Sequence, residues 1–231
     1  MQVGNRVFLK RHLPAKEIVE KFGTIPTSDI GDATHRSCML HTRIGLMSKP
    51  EKPITAGVAL TVKARAGDNL FIHKALNIAE EGDVIIVSNE EDNTRAVIGA
   101  NMAFYGMVNR KIAGMIFDGP IRDIDDIGEM ALPVYATGVT PTGPYKEGPG
   151  EINVPISIGG ICVRPGDIIV MDMDGVAIVP REDAEAILPE ALKQRDKNAA
   201  NNAKAKNGIS NRDWIDKKLE KLSTEIIDDC Y

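Results

Sequence analysis

The stretch AGVALTVKARAGDNLFIHKALNIAEEGDVIIVS, residues 56–88, decides the fold class. From Val58 to Ala64 apolar and polar residues alternate as in a half-buried strand, and the loop AGDN stops the run. LFIHKALNIAE then spaces its apolar residues as a helix that ends at EEGD, and VIIVS at 84–88 is a short β-branched run suited to a strand buried on both faces. The stretch therefore predicts a strand, helix, strand unit.

The pattern repeats at once. AVIGANMAFYGMVNRKIAG predicts a helix whose first turn begins near Gly99, and GMIFDG predicts another apolar strand. Two successive units of this kind favour an α/β sheet with parallel pairs. Upstream, Ile18, Val19 and Phe22 have helical spacing, and Thr27, Ser28 and Asp29 are candidate N-caps for a second short helix. After Asp123 the chain is rich in Gly, Pro and Val and reads as a series of short strands. From Arg181 to Tyr231 it is polar and helical, with Ala186, Leu188, Leu192, Trp214, Ile215, Leu219 and Leu222 as apolar contacts. We expect one α/β domain over residues 1–180 and a helical tail over 181–231 that packs on the body or on a neighbouring subunit.

The chain has 231 residues, 43% hydrophobic and 26% charged, close to the averages for globular domains. Its formal net charge of −5 provides no general basic field for a nucleic-acid backbone. Cys38, Cys162 and Cys230 are too scattered for a disulfide framework or a paired-Cys zinc site, which fits a reducing cytoplasm. The N-terminus lacks the apolar core of a signal peptide, and no apolar run approaches the roughly 20 residues that cross a bilayer. The expectation is a cytoplasmic protein with neither nucleic acid nor membrane as partner.

The candidate chemistry centres on Arg122 and Asp123, which follow the strand GMIFDG, because ligands of open α/β sheets collect outside the carboxyl ends of the strands. A guanidinium there can hold a carboxylate or a developing enolate in a two-pronged contact, and a neighbouring carboxylate can hold a hard divalent cation. The plainer reading is a solvated loop ion pair, and the dipeptide alone favours it. A second feature is IGANMA at 98–103, where Gly99, Ala100, Asn101, Met102 and Ala103 open a helix whose free N–H groups could receive an anion. A small-residue packing contact accounts for the same residues equally well.

Asp68, Asn69 and His73 could line the same sheet edge, but Asp68 and Asn69 serve equally as turn and capping residues, and His73 alone reads first as structural. Asp172 and Asp174 in MDMDG are explained by a turn between strands, and Asp118 by the turn signal DG. No nucleophile elbow, phosphate loop or Cys-x-x-Cys motif is present.

The blocks AGDNLFIHKAL...GDVIIV, GANMA...GMIFDGPIRD, PVYATGVTP and VRPGDIIVMDMDGVAIVPRE together resemble the RraA-like family, which includes 4-hydroxy-4-methyl-2-oxoglutarate/4-carboxy-4-hydroxy-2-oxoadipate aldolases. The likeness covers roughly residues 24–182. It implies a compact α/β/β sandwich resembling the swivelling phosphohistidine domain, assembled as homotrimers or homohexamers with active sites between subunits. The aldolase pattern places an Asp twenty residues before an Arg-Asp pair; the pair here is Arg122-Asp123, and the earlier position is Asn101. The resemblance implies a lyase that uses magnesium or manganese, with Asp123 on the metal and Arg122 holding a small 2-oxo acid and its enolate. An amide at 101 orients water without adding negative charge. The family's acid from a neighbouring subunit's C-terminal helix falls near Asn198. Its ribonuclease-regulating members make a noncatalytic binding protein the alternative.

Overall fold

The structure, a computed structural model, describes residues 3–231. It begins with β1 (Asn5–Val7), α1 (Lys16–Phe22), α2 (Thr27–Ala33) and β2 (Gly45–Leu46). The strand, helix, strand core follows as β3 (Ile54–Ala64), α3 (Leu70–Ile78), β4 (Asp83–Ser88), α4 (Ala100–Phe104) and β5 (Gly114–Phe117), with a π-helical turn at Tyr105–Arg110 extending α4. Then come α5 (Ile124–Gly128) and the β-rich half: β6 (Val134–Ala136), β7 (Gly150–Ile152), β8 (Ile156–Ile158), β9 (Ile161–Val163), β10 (Ile168–Asp172) and β11 (Gly175–Val179). The described chain ends in α6 (Ala184–Lys206) and α7 (Trp214–Lys221). It divides into two compact units, Met1–Gln194 and Arg195–Tyr231.

The mixed α/β fold with C-terminal helices expected from the sequence is present. The main sheet runs β1-β7-β3-β4-β5-β6-β2, with β10 pairing with β3 and β11, and β8 and β9 form a separate hairpin. The three pairings β3–β4, β4–β5 and β5–β6 are parallel, so the crossovers through α3, α4 and α5 make one more such unit than the two read from the sequence.

Alternate residues of these strands enter different cores. Leu60, Val62, Ile85, Val87, Met115 and Phe117 face one cluster with α3, while Ala59, Val84, Ile86 and Ile116 face another with β8, β9, β10 and β11. Each fully buried Ile or Leu contributes about 1.5–3 kcal/mol relative to exposure. Layers on both faces correct the half-buried reading of β3: Thr61, a polar position of its alternation, is fully buried, and its hydroxyl donates to Val154 O at 2.6 Å.

Two further local expectations change. The start of α2 receives no side-chain cap from its own first residues; Asp172 Oδ2 instead accepts from Thr27 N–H at 2.7 Å, and Asp172 Oδ1 from the Thr27 hydroxyl at 2.7 Å. The same carboxylate accepts from the N–H groups of Asp174 and Gly175 in the β10–β11 turn, which agrees with the structural reading of MDMDG. Along α6 the buried stripe is Ala184, Leu188 and Ala191; Ala186 is exposed because it lies off that face. No residue of α7 is buried, and Trp214 and Leu222 are largely exposed.

Candidate active site

Parallel pairing brings the carboxyl ends of β3, β4 and β5 to one edge, and with them the loops beginning at Arg65, Asn89 and Asp118. Two backbone bonds join the last two loops: Val97 N–H to Pro120 O at 3.0 Å and Arg122 N–H to Ile98 O at 3.0 Å. Gly99 is thereby set beside the Arg122-Asp123 pair, although the two segments are separate in sequence.

Asp123 holds a left-handed backbone, φ 59° and ψ 45°, as the N-cap of α5. Asp tolerates this region better than most residues, and such conformations concentrate at functional sites. Its Oδ2 accepts from Ala100 N–H, the first of α4, at 3.1 Å, and lies 3.8 Å from Arg122 Nε. Oδ1 accepts no hydrogen bond among the described residues. A Cβ on Gly99 would collide with Asp123 Oδ2 and come within 3.1 Å of Arg122 Nε, so only glycine leaves room for this approach.

These groups face a cavity of about 280 Å³ lined by Gly99, Asn101, Met102, Arg122 and Asp123, together with Ile98, Asn69, His73, Pro144 and Lys146. Asn101 therefore reaches the site. Ala100 contributes its N–H, but the side chains of Ala100 and Ala103 belong to the buried core, and Ala103 N–H is bonded to Gly99 O. Ala103 thus packs the helix against the sheet and offers the cavity nothing.

Asn69 and His73, weighed in the sequence against structural roles, both line the cavity. Burial, and then the charge of Lys146, hold the His73 pKa below its ordinary value, which favours neutral imidazole. Lys146 was missed: its segment, TGPYKEGPG, carries only turn signals. Asp68 is a turn residue as expected, accepting from Leu70 N–H at 2.9 Å, but it also reaches across to Glu147 and Gly148. Asp118 is committed to Arg43 through contacts of 3.1 and 2.8 Å. Asn198 lies in α6, within the second unit.

The donors suit a hard divalent cation better than zinc. Asp123 is the one carboxylate on the cavity wall, Asn101 adds an amide, and among the described residues no cluster of three or more His, Cys, Asp or Glu could hold a metal by itself. One carboxylate completed by water and an anionic substrate is ordinary for magnesium. No helix among the described residues is long and apolar enough to cross a membrane.

Fold and site together define an α/β protein with an Arg-Asp pair set against the start of a helix at the sheet edge. The chain belongs to the RraA-like family, described as Aldolase/RraA, whose model matches residues 27–178. A protein of Halalkalibacterium halodurans named "Putative 4-hydroxy-4-methyl-2-oxoglutarate aldolase" is 38% identical over 205 residues, covering 88% of this chain and 96% of its own. The "4-hydroxy-4-methyl-2-oxoglutarate aldolase" of Thermus thermophilus is 31% identical over 113 residues, 49% of this chain and 68% of its own. A solved structure, "Structure of the RNA-processing inhibitor RraA from Thermus thermophilis", superposes with a TM-score of 0.61 at 27% identity, covering 67% of this chain and 92% of that one.

Proposed function

We propose that this protein is a divalent-metal-dependent lyase for small 2-oxo acids, cleaving 4-hydroxy-4-methyl-2-oxoglutarate-like substrates to pyruvate, decarboxylating oxaloacetate, or both. The observation that carries this reading is the convergence of Arg122 and Asp123 on one cavity, with Ala100 N–H holding the Asp123 carboxylate and Gly99 leaving the space for it. The names of the relatives from Halalkalibacterium halodurans and Thermus thermophilus support the same chemistry.

Asp123 would hold magnesium or manganese through the oxygen that Ala100 leaves free. The bound cation supplies Lewis-acid polarisation of the 2-oxo group. Arg122 binds the 2-oxo acid and stabilises negative charge as it moves onto the 2-oxygen. In the aldol reaction a water oriented by Asn101 and polarised by the cation would, as hydroxide, take the proton of the C4 hydroxyl. The C3–C4 bond breaks, C4 becomes a carbonyl, and the electron pair forms the enolate of pyruvate, which takes its proton at C3 from the water just formed and so regenerates the base. Oxaloacetate loses carbon dioxide to form the same enolate.

We further propose a homotrimer or homohexamer working in the cytoplasm. Phe104, Tyr105 and Val108 leave apolar surface exposed on the helix that begins at the site, as a subunit contact would use. The second reading, a noncatalytic protein that regulates a partner such as a ribonuclease, is favoured by the amide at 101 and by the likeness to the RNA-processing inhibitor of Thermus.

The test is pyruvate release from 4-hydroxy-4-methyl-2-oxoglutarate and from oxaloacetate, with magnesium or manganese and with chelator, for wild type and Arg122→Ala. Metal-dependent turnover that falls at least about 10²-fold in Arg122→Ala is expected. Turnover no faster than metal and solution blanks would sink the lyase reading and favour the regulator.

A further inference from the structure

Two arginines that the Arg122-Asp123 chemistry leaves unused stand beside the cavity. Arg95 lies over the Tyr145 ring at 4.0 Å, and it donates from Nη2 to the Tyr145 hydroxyl at 2.8 Å and from Nη1 to Gly143 O at 2.9 Å. Gly143 borders the site: a Cβ on it would stand 3.4 Å from Arg122 Nη1, and the next residue, Pro144, lines the cavity. Arg65 lies over the same ring at 5.6 Å and donates to Gly148 O at 3.3 Å. A single exposed tyrosine thus carries two guanidiniums next to the segment that meets Arg122.

What these two arginines lack is an acid. Arg6, Arg11, Arg43 and Arg181 each hold a carboxylate, whereas Arg65 and Arg95 make no ion pair among the described residues. Ring and carbonyl contacts fix them in place without cancelling their charge. Asp92, three residues before Arg95, gives its Oδ1 to the N–H and hydroxyl of Thr94 instead. The chain as a whole carries a net charge of −5 and so repels a small anion at long range. Uncompensated cations beside the cavity turn the local field toward attraction.

Resting on the 2-oxo acid reading, we propose that Arg65 and Arg95 form an electrostatic capture site, which raises the concentration of anionic substrate at the cavity and takes no part in the chemistry. Removing either charge then weakens substrate capture alone, so KM rises while kcat stays. Salt must mimic the substitutions, because screening acts on the same long-range attraction. A purely structural role in holding the Gly143–Tyr145 segment would respond to neither salt nor charge.

The experiment measures kcat and KM for oxaloacetate with the full chain at saturating magnesium, in about 0.02 M and about 0.5 M sodium chloride. At low salt Arg65→Gln and Arg95→Gln should each raise KM about threefold, the scale of one charge acting on a dianion across about 10 Å of water. At high salt the difference from wild type should nearly vanish, and kcat should stay within about twofold throughout. Arg95→Lys, which keeps the charge but not the planar fork, should keep the wild-type KM. An unchanged KM in both Gln variants, a rise of the same size at both salt concentrations, or a kcat that falls with it overturns the capture site and leaves the lyase standing. Absence of turnover in wild type overturns the two readings together.

Discussion

Ala100 donates its N–H to Asp123 Oδ2 at 3.1 Å, and Gly99, the residue before it, lies against the same carboxylate. A helix start and a loop acid thus fix one another. Gly99→Ala should displace Asp123 and Arg122 and lower kcat/KM for pyruvate release by about 10²-fold, the scale of an ångström-sized misplacement. Because Gly99 has an extended backbone, φ −131° and ψ 177°, alanine adds no conformational strain, and the thermal midpoint should move little. Unimpaired turnover in the folded variant would remove Gly99 from the site.

Asn101 shares the cavity with Asp123 but brings no charge. Asn101→Asp should tighten magnesium binding by about tenfold, since affinity for hard cations rises with the number of carboxylates. Titration of the metal in the absence of substrate reads this directly. Equal affinities would mean that position 101 does not face the ion.

His73 provides a pH test with a defined sign. Its pKa is lowered from 6.5 by burial first and by Lys146 second. Below that value the unfolded chain takes up the proton more readily than the folded one. His73 therefore lets stability rise with pH between its folded pKa and about 6.5, and this contribution is lost as pH falls through that window. Lys146→Gln should move the pKa upward by the electrostatic part alone, as followed by the His73 ring proton in NMR titrations. No movement would place the two side chains beyond mutual influence.

Asp68 accepts hydrogen bonds from Leu70, Glu147 and Gly148. Asp68→Ala should cost about 3 kcal/mol, because several backbone donors lose one buried acceptor. Urea unfolding measures the loss. A variant with wild-type stability would refute the clamp.

The strand, helix, strand core was legible because periodicity is local: Leu70–Ile78 and Asp83–Ser88 show their apolar spacing within single elements. Arg122-Asp123 was legible as a candidate because the pair directly follows the strand ending at Phe117. Thr61 was misread, since alternation cannot report a second layer folding over the polar face. The cap of α2 was also hidden, because Asp172 lies 145 residues from Thr27.

The residue types, and the order of apolar runs with the turns between them, were sufficient to specify an α/β chain of this family with an Arg-Asp pair at a sheet edge. Tertiary structure alone decided that Gly99 and Ala100 meet Asp123, that Asn101 reaches the cavity while Ala103 does not, and that Lys146 completes the wall. The physical reason is range: repeating side-chain patterns specify single elements, whereas the site depends on backbone and carboxylate hydrogen bonds, such as Asp68 to Glu147 across 79 residues, that exist only once the sheet has assembled.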